Sequence, residues 1–539
     1  LAIVDYLESS ADGDGLSAVI AQHLRDALAA TSADDPQRAE IARRLGDWLE
    51  RSAARSLTIG APADAMRAFT EALTLTDDQA HQVRLHLAAA DAAIAAGVGS
   101  EAVEHALPIA HGEVPATPLE FANAVVTAAQ GLRHSRRSDE AFALLQPHSG
   151  EDSLAALPPL LGSKIAGQVA ALNQDLGRVD AAAPWAERAL RLAEDSGDAR
   201  MIAESLNGLA LVNFLRGFPR VGTALLDVTA EYARENRLVH TLARVRVNQL
   251  AFGLNHDLDA ALTAGREALD LGEQIGNTMM CWYAAINMTS ALTLAGQWDE
   301  VAIVLDRPLL HERPPERVFT TVAATRPATI ALARGTEIDL AEYESLATEP
   351  ETRAGEGQVD TLFYAAMRAV YARASGQTDL LVPTCHRVLE LALKYVPFED
   401  DFSHLWALAV DLLLEVRAFT DARELLRPVQ DVPANRLSSL LAGELLRLEG
   451  TVEVLDPTST ADAAAIERHL LDAIARLDEV GAMPDRARAQ ATLGTWLWRS
   501  GRSAEAAPHL DAARSTFTEL RAVVWLKELD DALAQSAAG

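Results

Sequence analysis

The sequence predicts an all-α fold, a right-handed superhelical solenoid of about twelve helical hairpins. Three observations predict it. A short motif recurs at intervals near 40 residues, which is typical of a helical repeat array. Hydrophobic residues make up 49% of the chain and aromatic residues only 5%, a mixture that favours helices packed through small and medium side chains. At 539 residues the chain is also too long for one ordinary globular core.

Each copy of the motif consists of a helix, a short turn that often carries Gly, and a second helix with a small residue near its start. Clear copies are LTIGAPADAMRAFTEALTL, QDLGRVDAAAPWAERALRLA and ATLGTWLWRSGRSAEAAPHLDAARSTF. One small or apolar residue in the second helix marks each repeat, and successive markers are 37 to 42 residues apart. The markers are Ala65, Ala102, Ala141, Ala182, Gly222, Ala261, Val301, Ala341, Leu381, Ala422, Ala464 and Ala506.

A single hairpin of this kind cannot cover its own apolar face, so neighbouring hairpins have to stack around a continuous core. Small markers such as Ala182 and Ala506 are expected where helices cross, because a bulky side chain would force the axes apart. Four glycines are expected to take a positive φ between paired helices, since this conformation costs little without a Cβ. They are Gly60, Gly177, Gly296 and Gly501.

Three regions are expected along the chain. Residues 1–36 do not carry the repeat and are interpreted as a helical remnant or linker from a preceding domain. Residues 37–520 carry the repeats, and residues 521–539 are expected to form a capping helix and tail. Four apolar side chains of this cap are available to cover the last repeat, namely Val524, Leu526, Leu529 and Leu533.

The charge balance argues against two classes of partner. The chain has 47 basic and 77 acidic residues and a net charge of −30, so it repels phosphate backbones and anionic lipid headgroups. We therefore expect no direct contact with nucleic acid and none with a membrane. Two isolated cysteines, Cys281 and Cys385, fit a reducing cytoplasm, where we expect the protein to be located.

No catalytic or metal-binding motif is evident in the sequence. There is no His-Glu-x-x-His, no Gly-x-Ser-x-Gly and no Gly-x-Gly-x-x-Gly after a strand. The 14 histidines are scattered, and paired carboxylates need no catalytic explanation in so acidic a chain. We therefore expect no enzyme activity, no cofactor and no metal in this segment.

The repeats resemble tetratricopeptide repeats (TPRs), in a long-helix variant with a period nearer 40 than 34. The resemblance covers about residues 37 to 534 and includes the family's Gly, Ala and large apolar positions, whereas its Trp and Pro are mostly absent. It implies a superhelix whose concave surface is lined by the first helix of each pair.

Three segments are also similar to the repeat region of large bacterial signalling ATPases, which include LuxR-type ATP-binding transcription regulators and adenylyl cyclases. They are AQHLRDAL with the LERSAARSLTIGAPADAMRAFTEALTL that follows, LGEQIGN with INMTSALTLAGQWDEV, and LDEVGAMPDRARAQATLGTWLW. The resemblance implies that these repeats sense a ligand or partner and restrain an ATPase with an output domain. Lys164, Lys394 and Lys527 do not follow a glycine as a Walker phosphate loop requires, so we expect the sensor part alone.

Asparagine recurs at one register in the first helices of three consecutive middle repeats. Asn207, Asn248 and Asn287 are 41 and 39 residues apart, so we expect a ladder on the concave face. Further donors and acceptors are expected on the same helices from Asn173, Asn213, Arg244, Arg246 and Gln249. An amide ladder suits a peptide backbone or a sugar-like ligand, because it offers donors and acceptors. Alternatively, each Asn bonds the backbone of a neighbouring repeat and only sets the register.

The sequence thus predicts a regulatory module that binds a protein segment or a small effector in its concave groove. Its other partners would be the ATPase and effector domains of the parent protein, whose output is either cyclase-like or DNA-binding. A second interpretation is a structural scaffold that drives self-assembly of the parent protein.

Overall fold

The computed structural model describes residues 1–9, 14–135, 137–311, 317–348, 360–395 and 402–537. Within these ranges the chain forms 28 α-helices and no β-strand, so the predicted all-α class is confirmed. None of the described helices combines the length and the apolar character that crossing a bilayer requires. The same ranges also contain short 3-10 helices, at Asp14–Leu16, Gln146–His148, Pro308–Leu310 and Ala434–Arg436.

Twelve helix pairs make up most of the described part of the chain, in agreement with the predicted number. α1 (Ala2–Glu8) and α2 (Ser17–Ala30) precede them. The first six pairs are α3 (Arg38–Thr58) and α4 (Pro62–Leu73), α5 (Gln79–Ala95) and α6 (Gly99–Ala110), α7 (Pro118–His134) and α8 (Ser138–Leu145), α10 (Pro159–Asp175) and α11 (Val179–Ser196), α12 (Ala199–Leu215) and α13 (Pro219–Glu235), and α14 (Val239–Gly253) and α15 (Leu258–Gln274). A single short helix, α9 (Glu151–Ala155), lies between the third and fourth pairs.

The remaining six pairs lead to one C-terminal helix. They are α16 (Thr278–Leu294) and α17 (Trp298–Leu305), α18 (Arg317–Arg334) and α19 (Leu340–Ala347), α20 (Asp360–Ala374) and α21 (Thr378–Tyr395), α22 (Phe402–Glu415) and α23 (Phe419–Gln430), α24 (Ser439–Leu455) and α25 (Ala463–Val480), and α26 (Met483–Arg499) and α27 (Ser503–Glu519). The last helix is α28 (Val523–Ala537). It lies within residues 521–539, for which a capping helix and tail are expected.

The chain divides into two compact units. The first unit consists of Leu1–Val212 with Tyr232–Leu238 and Gln274–Asn277. The second consists of Asn213–Glu231, Val239–Glu273 and Thr278–Gly539. Within each unit, the apolar faces of successive helices are buried against the next helices of the stack, as expected for hairpins that cannot cover these faces alone.

The marker residues lie in the second helices of the twelve pairs, and ten of them are buried. Ala182 and Ala506 are 0% exposed, as predicted for helix crossings. The prediction is wrong for Ala341 and Ala464, which are exposed near the starts of α19 and α25. In α25 the first buried residue is Ile466. A shift of two residues turns a helix by about 200°, so it exchanges the buried face for the exposed one.

The four turn glycines have the predicted backbone conformation. Their φ angles are 80° at Gly60, 70° at Gly177, 76° at Gly296 and 78° at Gly501. Each stands between the two helices of a pair, where a residue with a Cβ would be strained. The turn prediction is therefore confirmed.

Small residues allow close helix crossings in the first unit. Gly99 on α6 and Gly131 on α7 face each other, and a Cβ on Gly99 would lie 2.7 Å from the Gly131 carbonyl oxygen. Buried Ser163 on α10 donates to the Ala189 carbonyl oxygen of α11 over 2.8 Å. The two backbones can approach this closely only where side chains are small.

The second unit closes on itself through contacts between residues that are far apart in sequence. α28 packs against α18 as well as against α26 and α27. The rings of Trp298 and Trp525 meet edge to face with centroids 5.5 Å apart. Arg334 Nε donates to the Leu520 carbonyl oxygen over 3.0 Å, and Arg334 Nη2 donates to Asp299 over 2.7 Å. α28 therefore joins the last repeat to an earlier one, which the sequence did not predict.

A matched pair of marker substitutions tests the packing. Ala506→Leu is expected to lower the free energy of unfolding by about 1–3 kcal/mol, because the added side chain overfills a closed helix crossing. Ala464→Leu, at an exposed marker, is expected to change it by no more than about 0.5 kcal/mol. Urea unfolding followed by circular dichroism measures both, and equal effects at the two positions would contradict the assignment of the buried faces.

Candidate functional site

The three asparagines of the predicted ladder lie on α12, α14 and α16, the first helices of consecutive pairs. Asn207 is buried, whereas Asn248 and Asn287 are half-buried. Asn207 belongs to the first unit, and Asn248 and Asn287 belong to the second. Their role as a ligand-binding ladder stays a prediction.

The other predicted groove residues are spread over three helices. Asn173 lies on α10 rather than on α12, α14 or α16, which corrects its predicted placement. It is buried, and its Nδ2 donates to the Val169 carbonyl oxygen of the same helix over 2.8 Å. Asn213 on α12 is half-buried, and Arg244 on α14 is exposed. This bond stays within one helix, whereas the structural interpretation expects a bond to the backbone of a neighbouring repeat.

Two residues of α14 take part in a polar network within the second unit. Arg246 forms an ion pair with Glu267 on α15 over 2.7 Å and donates to Gln249 Oε1 over 2.5 Å. Gln249 Nε2 in turn donates to Asp227 on α13 over 2.7 Å. These side chains tie adjacent helices together, so a ligand would have to compete with intramolecular partners there.

A cluster of charged side chains lies inside the second unit, on α22, α24 and α26. Asp411 on α22 accepts from Arg447 on α24 at both oxygens, over 3.0 and 2.8 Å, and also from Arg488 on α26. Arg447 Nε donates to Glu444 Oε2 over 2.8 Å. Arg447 is 1% exposed and Glu444 is 2% exposed. We call these four residues the inner charge cluster.

Burial and ion pairing together set the protonation of the two carboxyls in the inner charge cluster. Burial opposes the ionisation of Asp411, but Arg447 and Arg488 outweigh it and hold the pKa of this carboxyl below its ordinary value. Burial raises the pKa of Glu444 to about 8, because Arg447 offsets it only in part and Asp485 and Asp411 add repulsion. At neutral pH, Asp411 is therefore ionised while Glu444 mostly keeps its proton.

The inner charge cluster borders a cavity of about 100 Å³, which we call the central cavity. Its walls come mainly from first helices, namely α16, α18, α22, α24 and α26, with contributions from α17 and α28. The charged residues that line it are Arg326, Asp411, Glu444, Asp485 and Arg488. Trp298 and Trp525 form one side of the central cavity, so the contact that closes the unit also contributes to the cavity wall.

Two further carboxylates lie beside the inner charge cluster. Glu415 on α22 accepts from Arg373 Nε over 2.6 Å, yet burial raises the pKa of Glu415. Glu528 on α28 is exposed to solvent. Desolvation by the surrounding protein atoms, together with the charge of Glu415, nevertheless raises the pKa of Glu528 as well. With Asp411, Glu444 and Asp485 they make five carboxylates, against the four guanidiniums of Arg326, Arg373, Arg447 and Arg488. Without the exposed Glu528, four carboxyls face four guanidiniums in this region.

The inner charge cluster was missed from sequence, although one signal was present. Glu444 and Arg447 stand three residues apart within the apolar run LLAGELLRLEG. At this spacing both side chains lie on the same side of α24, which is otherwise buried. A charged pair among leucines has to find partners in the interior, because an unpaired buried charge is very costly.

One group of described side chains has the spacing of a metal site. His386 on α21 and Asp421 and Glu424 on α23 present ligand atoms within 4.8 Å of one another. His386 Nε2 lies 2.9 Å from Asp421 Oδ1, so an ordinary hydrogen bond accounts for this pair. Glu424 is exposed, and exposed acidic groups are common in so acidic a chain. The expectation that this segment holds no metal stays a prediction.

No protein-family model matches the chain, and no curated protein matches it in sequence. Among solved structures, it is similar to a Rap protein complexed with competence and sporulation factor, with 12% identity over 72% of this chain and 96% of that chain and a TM-score of 0.44. It is also similar to the APC/C hetero-tetramer Cut9–Hcn1, with 12% identity, 91% and 96% coverage and a TM-score of 0.44. It is similar as well to the human IFIT1 dimer with m7Gppp-AAAA, with 14% identity over 82% of this chain and 95% of that chain and a TM-score of 0.41. With identities of 12–14% and TM-scores of 0.41–0.44, these similarities carry no inference about the function of this chain.

Removal of one member of the inner charge cluster is expected to destabilise the second unit strongly. Arg447→Met should lower the free energy of unfolding by about 3–5 kcal/mol, because it leaves buried carboxylates without their partner. The control is Arg514→Met, which breaks an exposed pair with Asp530 and should cost less than about 1 kcal/mol. Both are measured by urea unfolding, and a similar small loss in the two variants would show that the inner charge cluster is not desolvated.

The raised pKa of Glu444 predicts a pH dependence of stability. Between the ordinary value of 4.5 and about 8, the folded chain keeps a proton that the unfolded chain releases. The free energy of unfolding should therefore fall as pH rises through this window, by up to about 1.4 kcal/mol per pH unit from this group alone. In Glu444→Gln this contribution disappears, while that of Asp411 is common to both proteins. Parallel stability profiles for the two proteins between about pH 5 and about pH 8 would contradict the prediction.

Proposed function

We propose that this chain is the regulatory repeat region of a multidomain signalling ATPase, with a cyclase-like or DNA-binding output, and that it binds a small effector in the central cavity. The observation that carries the proposal is the enclosure of ionisable side chains around a cavity that first helices line. Helical-repeat proteins commonly use this inner surface for recognition.

The size of the central cavity favours a small effector over a protein segment. A cavity of about 100 Å³ has room for a molecule of several heavy atoms, given that one water occupies about 30 Å³. An extended peptide needs an open groove along which its backbone can bond. A protein segment is the better candidate at Asn248 and Asn287, which are half-buried rather than enclosed.

We propose a binding role rather than a catalytic one for the central cavity. Among the described side chains, Asp411 already accepts from two guanidiniums, and Arg447 is shared by Asp411 and Glu444. Cys281 and Cys385 are buried, and burial raises the pKa of their thiols to about 11 and about 12. Neither thiol is therefore poised as a nucleophile.

The contacts that close the second unit provide a route from effector to output. Trp298 and Trp525 belong both to the wall of the central cavity and to the closure between α17 and α28. An effector that binds the closed arrangement more tightly than the open one shifts the population towards the closed arrangement. The size of the shift is limited by the difference between the two affinities. In the proposed mechanism, the closed arrangement restrains the ATPase of the parent protein.

The scaffold interpretation has one observation in its favour. Phe218, Val221 and Val228 are all about half exposed. Val221 and Val228 lie seven residues apart on one side of α13, and Phe218 directly precedes this helix. An apolar stripe of this kind suits self-association. Light scattering on the isolated chain separates the two functions. A monodisperse monomer at micromolar concentration would contradict the scaffold interpretation, because a scaffold has to self-associate.

Weakening the closure is expected to raise the ATP hydrolysis rate of the full-length parent protein. Asp299 accepts from both Arg334 and Arg521, so Asp299→Ala removes two links between α17, α18 and the segment before α28. Each exposed pair contributes up to about 1 kcal/mol, so the loss of both should raise the rate by up to about thirtyfold. Asp472→Ala, at an exposed position on α25, should leave it unchanged. The proposal fails if the parent lacks an ATPase or if both variants hydrolyse ATP at the wild-type rate.

A further inference from the structure

We infer that the central cavity binds a small organic cation, a protonated amine or guanidinium with a short apolar chain, through Glu444 and Asp485. The inference deepens the proposed function and rests on it only in treating the central cavity as the effector site. It is carried by the hydrogen bonds and charges of the cavity walls.

One carboxyl oxygen of Glu444 is buried without a hydrogen-bond partner. Glu444 lines the central cavity, is 2% exposed, and uses Oε2 to accept from Arg447. Its second oxygen, Oε1, is buried and has no hydrogen-bond partner. A buried oxygen without a partner is costly, and native proteins rarely leave one unless a ligand or water completes the site.

The second step is the charge around this oxygen. Asp411 is compensated by Arg447 and Arg488, whereas Asp485 is 3.8 Å from its nearest guanidinium, that of Arg488. Asp485 also lies close enough to Glu444 to raise the pKa of its carboxyl. A cation between these two carboxyls would relieve their repulsion and give Glu444 Oε1 a donor.

The basic groups at the cavity are less suited to an anion. Arg447 is shared between Asp411 and Glu444, and Arg488 donates to Asp411 and stacks over Trp525 at 5.1 Å. Arg326 Nε points to Ser290 Oγ over 3.3 Å. Burial and the charge of Arg326 lower the pKa of His404 well below its ordinary value, so this ring is neutral. An anion at Arg447 or Arg488 would have to displace existing carboxylate partners.

A metal ion is less suited than an organic cation. Metal ions such as Ca²⁺ and Mg²⁺ require several oxygen ligands at short distance. Among the described residues, the group with such close ligand atoms is that of His386, Asp421 and Glu424 on α21 and α23, and none of these residues lines the central cavity. The remaining walls include Leu294, Ile330 and Leu408, which would accept a short hydrocarbon chain.

Three probes of nearly equal size and different charge test the ligand class. The full chain is titrated with n-butylammonium, butyrate and n-butanol by calorimetry. Butylammonium is expected to bind at least about tenfold more tightly than the other two, because charge-assisted hydrogen bonds form only with the cation. Tighter binding of butyrate or butanol, or no binding of any probe, would overturn the inference.

The proton balance gives a second, independent readout. A cation favours the ionised form of Glu444, so binding should release up to one proton at neutral pH, and affinity should rise with pH and level off above about pH 8. An anion would show the opposite trend, since it favours the protonated carboxyl. Proton release is measured by repeating the calorimetry in buffers of different ionisation enthalpy, and proton uptake would refute the cation.

Two variants and a control assign the effect to residues. Glu444→Gln should abolish proton release and weaken butylammonium binding about tenfold. Glu479→Gln, at an exposed position on α25, should bind as the wild type does. If Glu444→Gln does not fold, Asp485→Asn decides, with the same loss of affinity expected. Unchanged binding in the folded variant would overturn the inference, whereas an ATP hydrolysis rate insensitive to Asp299→Ala would overturn only the proposed regulation.

Discussion

The structure depends on one constraint, that two antiparallel helices cannot bury the apolar face they create. Each pair therefore needs a neighbour at close distance, and the small markers and facing glycines supply it. Gly99 and Gly131 show how little space is left between two helices, since neither residue could carry a Cβ without a shift of the backbone. The strongly acidic character of the chain has little influence on this packing, because ten of the twelve markers are small or apolar and buried.

Closure of the second unit changes the chemistry of its inner surface. In an open repeat array, polar residues of the first helices face water and need no partner. Here Arg447, Asp411 and Glu444 are removed from water, and each of the ions Arg447 and Asp411 loses several kcal/mol of hydration that only well-placed partners restore. Such a network penalises any shift between α22, α24 and α26, because a displaced helix leaves a buried charge without a partner. We infer that the inner charge cluster specifies how these helices align.

The period, the twelve helix pairs, the turn glycines and the C-terminal helix were predictable, because each has a signal within one repeat. The wrong markers, Ala341 and Ala464, lie where local sequence offered several alanines or few apolar neighbours. Asn173 was assigned to the wrong helix since periodicity gives a register but no direction for a side chain. The central cavity was not predictable, because it joins residues from six or more helices, and no local pattern encodes which distant repeats meet.

The contact of Arg334 with Leu520 spans 186 residues, far beyond the neighbouring repeats that stabilise most solenoids. During synthesis, such arrays ordinarily gain structure repeat by repeat as they leave the ribosome. The second unit cannot complete its interior in that way, since α28 follows all the other helices of this unit in sequence. Its buried charged groups stay hydrated until α28 has been made, so a nascent polypeptide without α28 would expose charged and apolar surface to the proteases and chaperones of the cell.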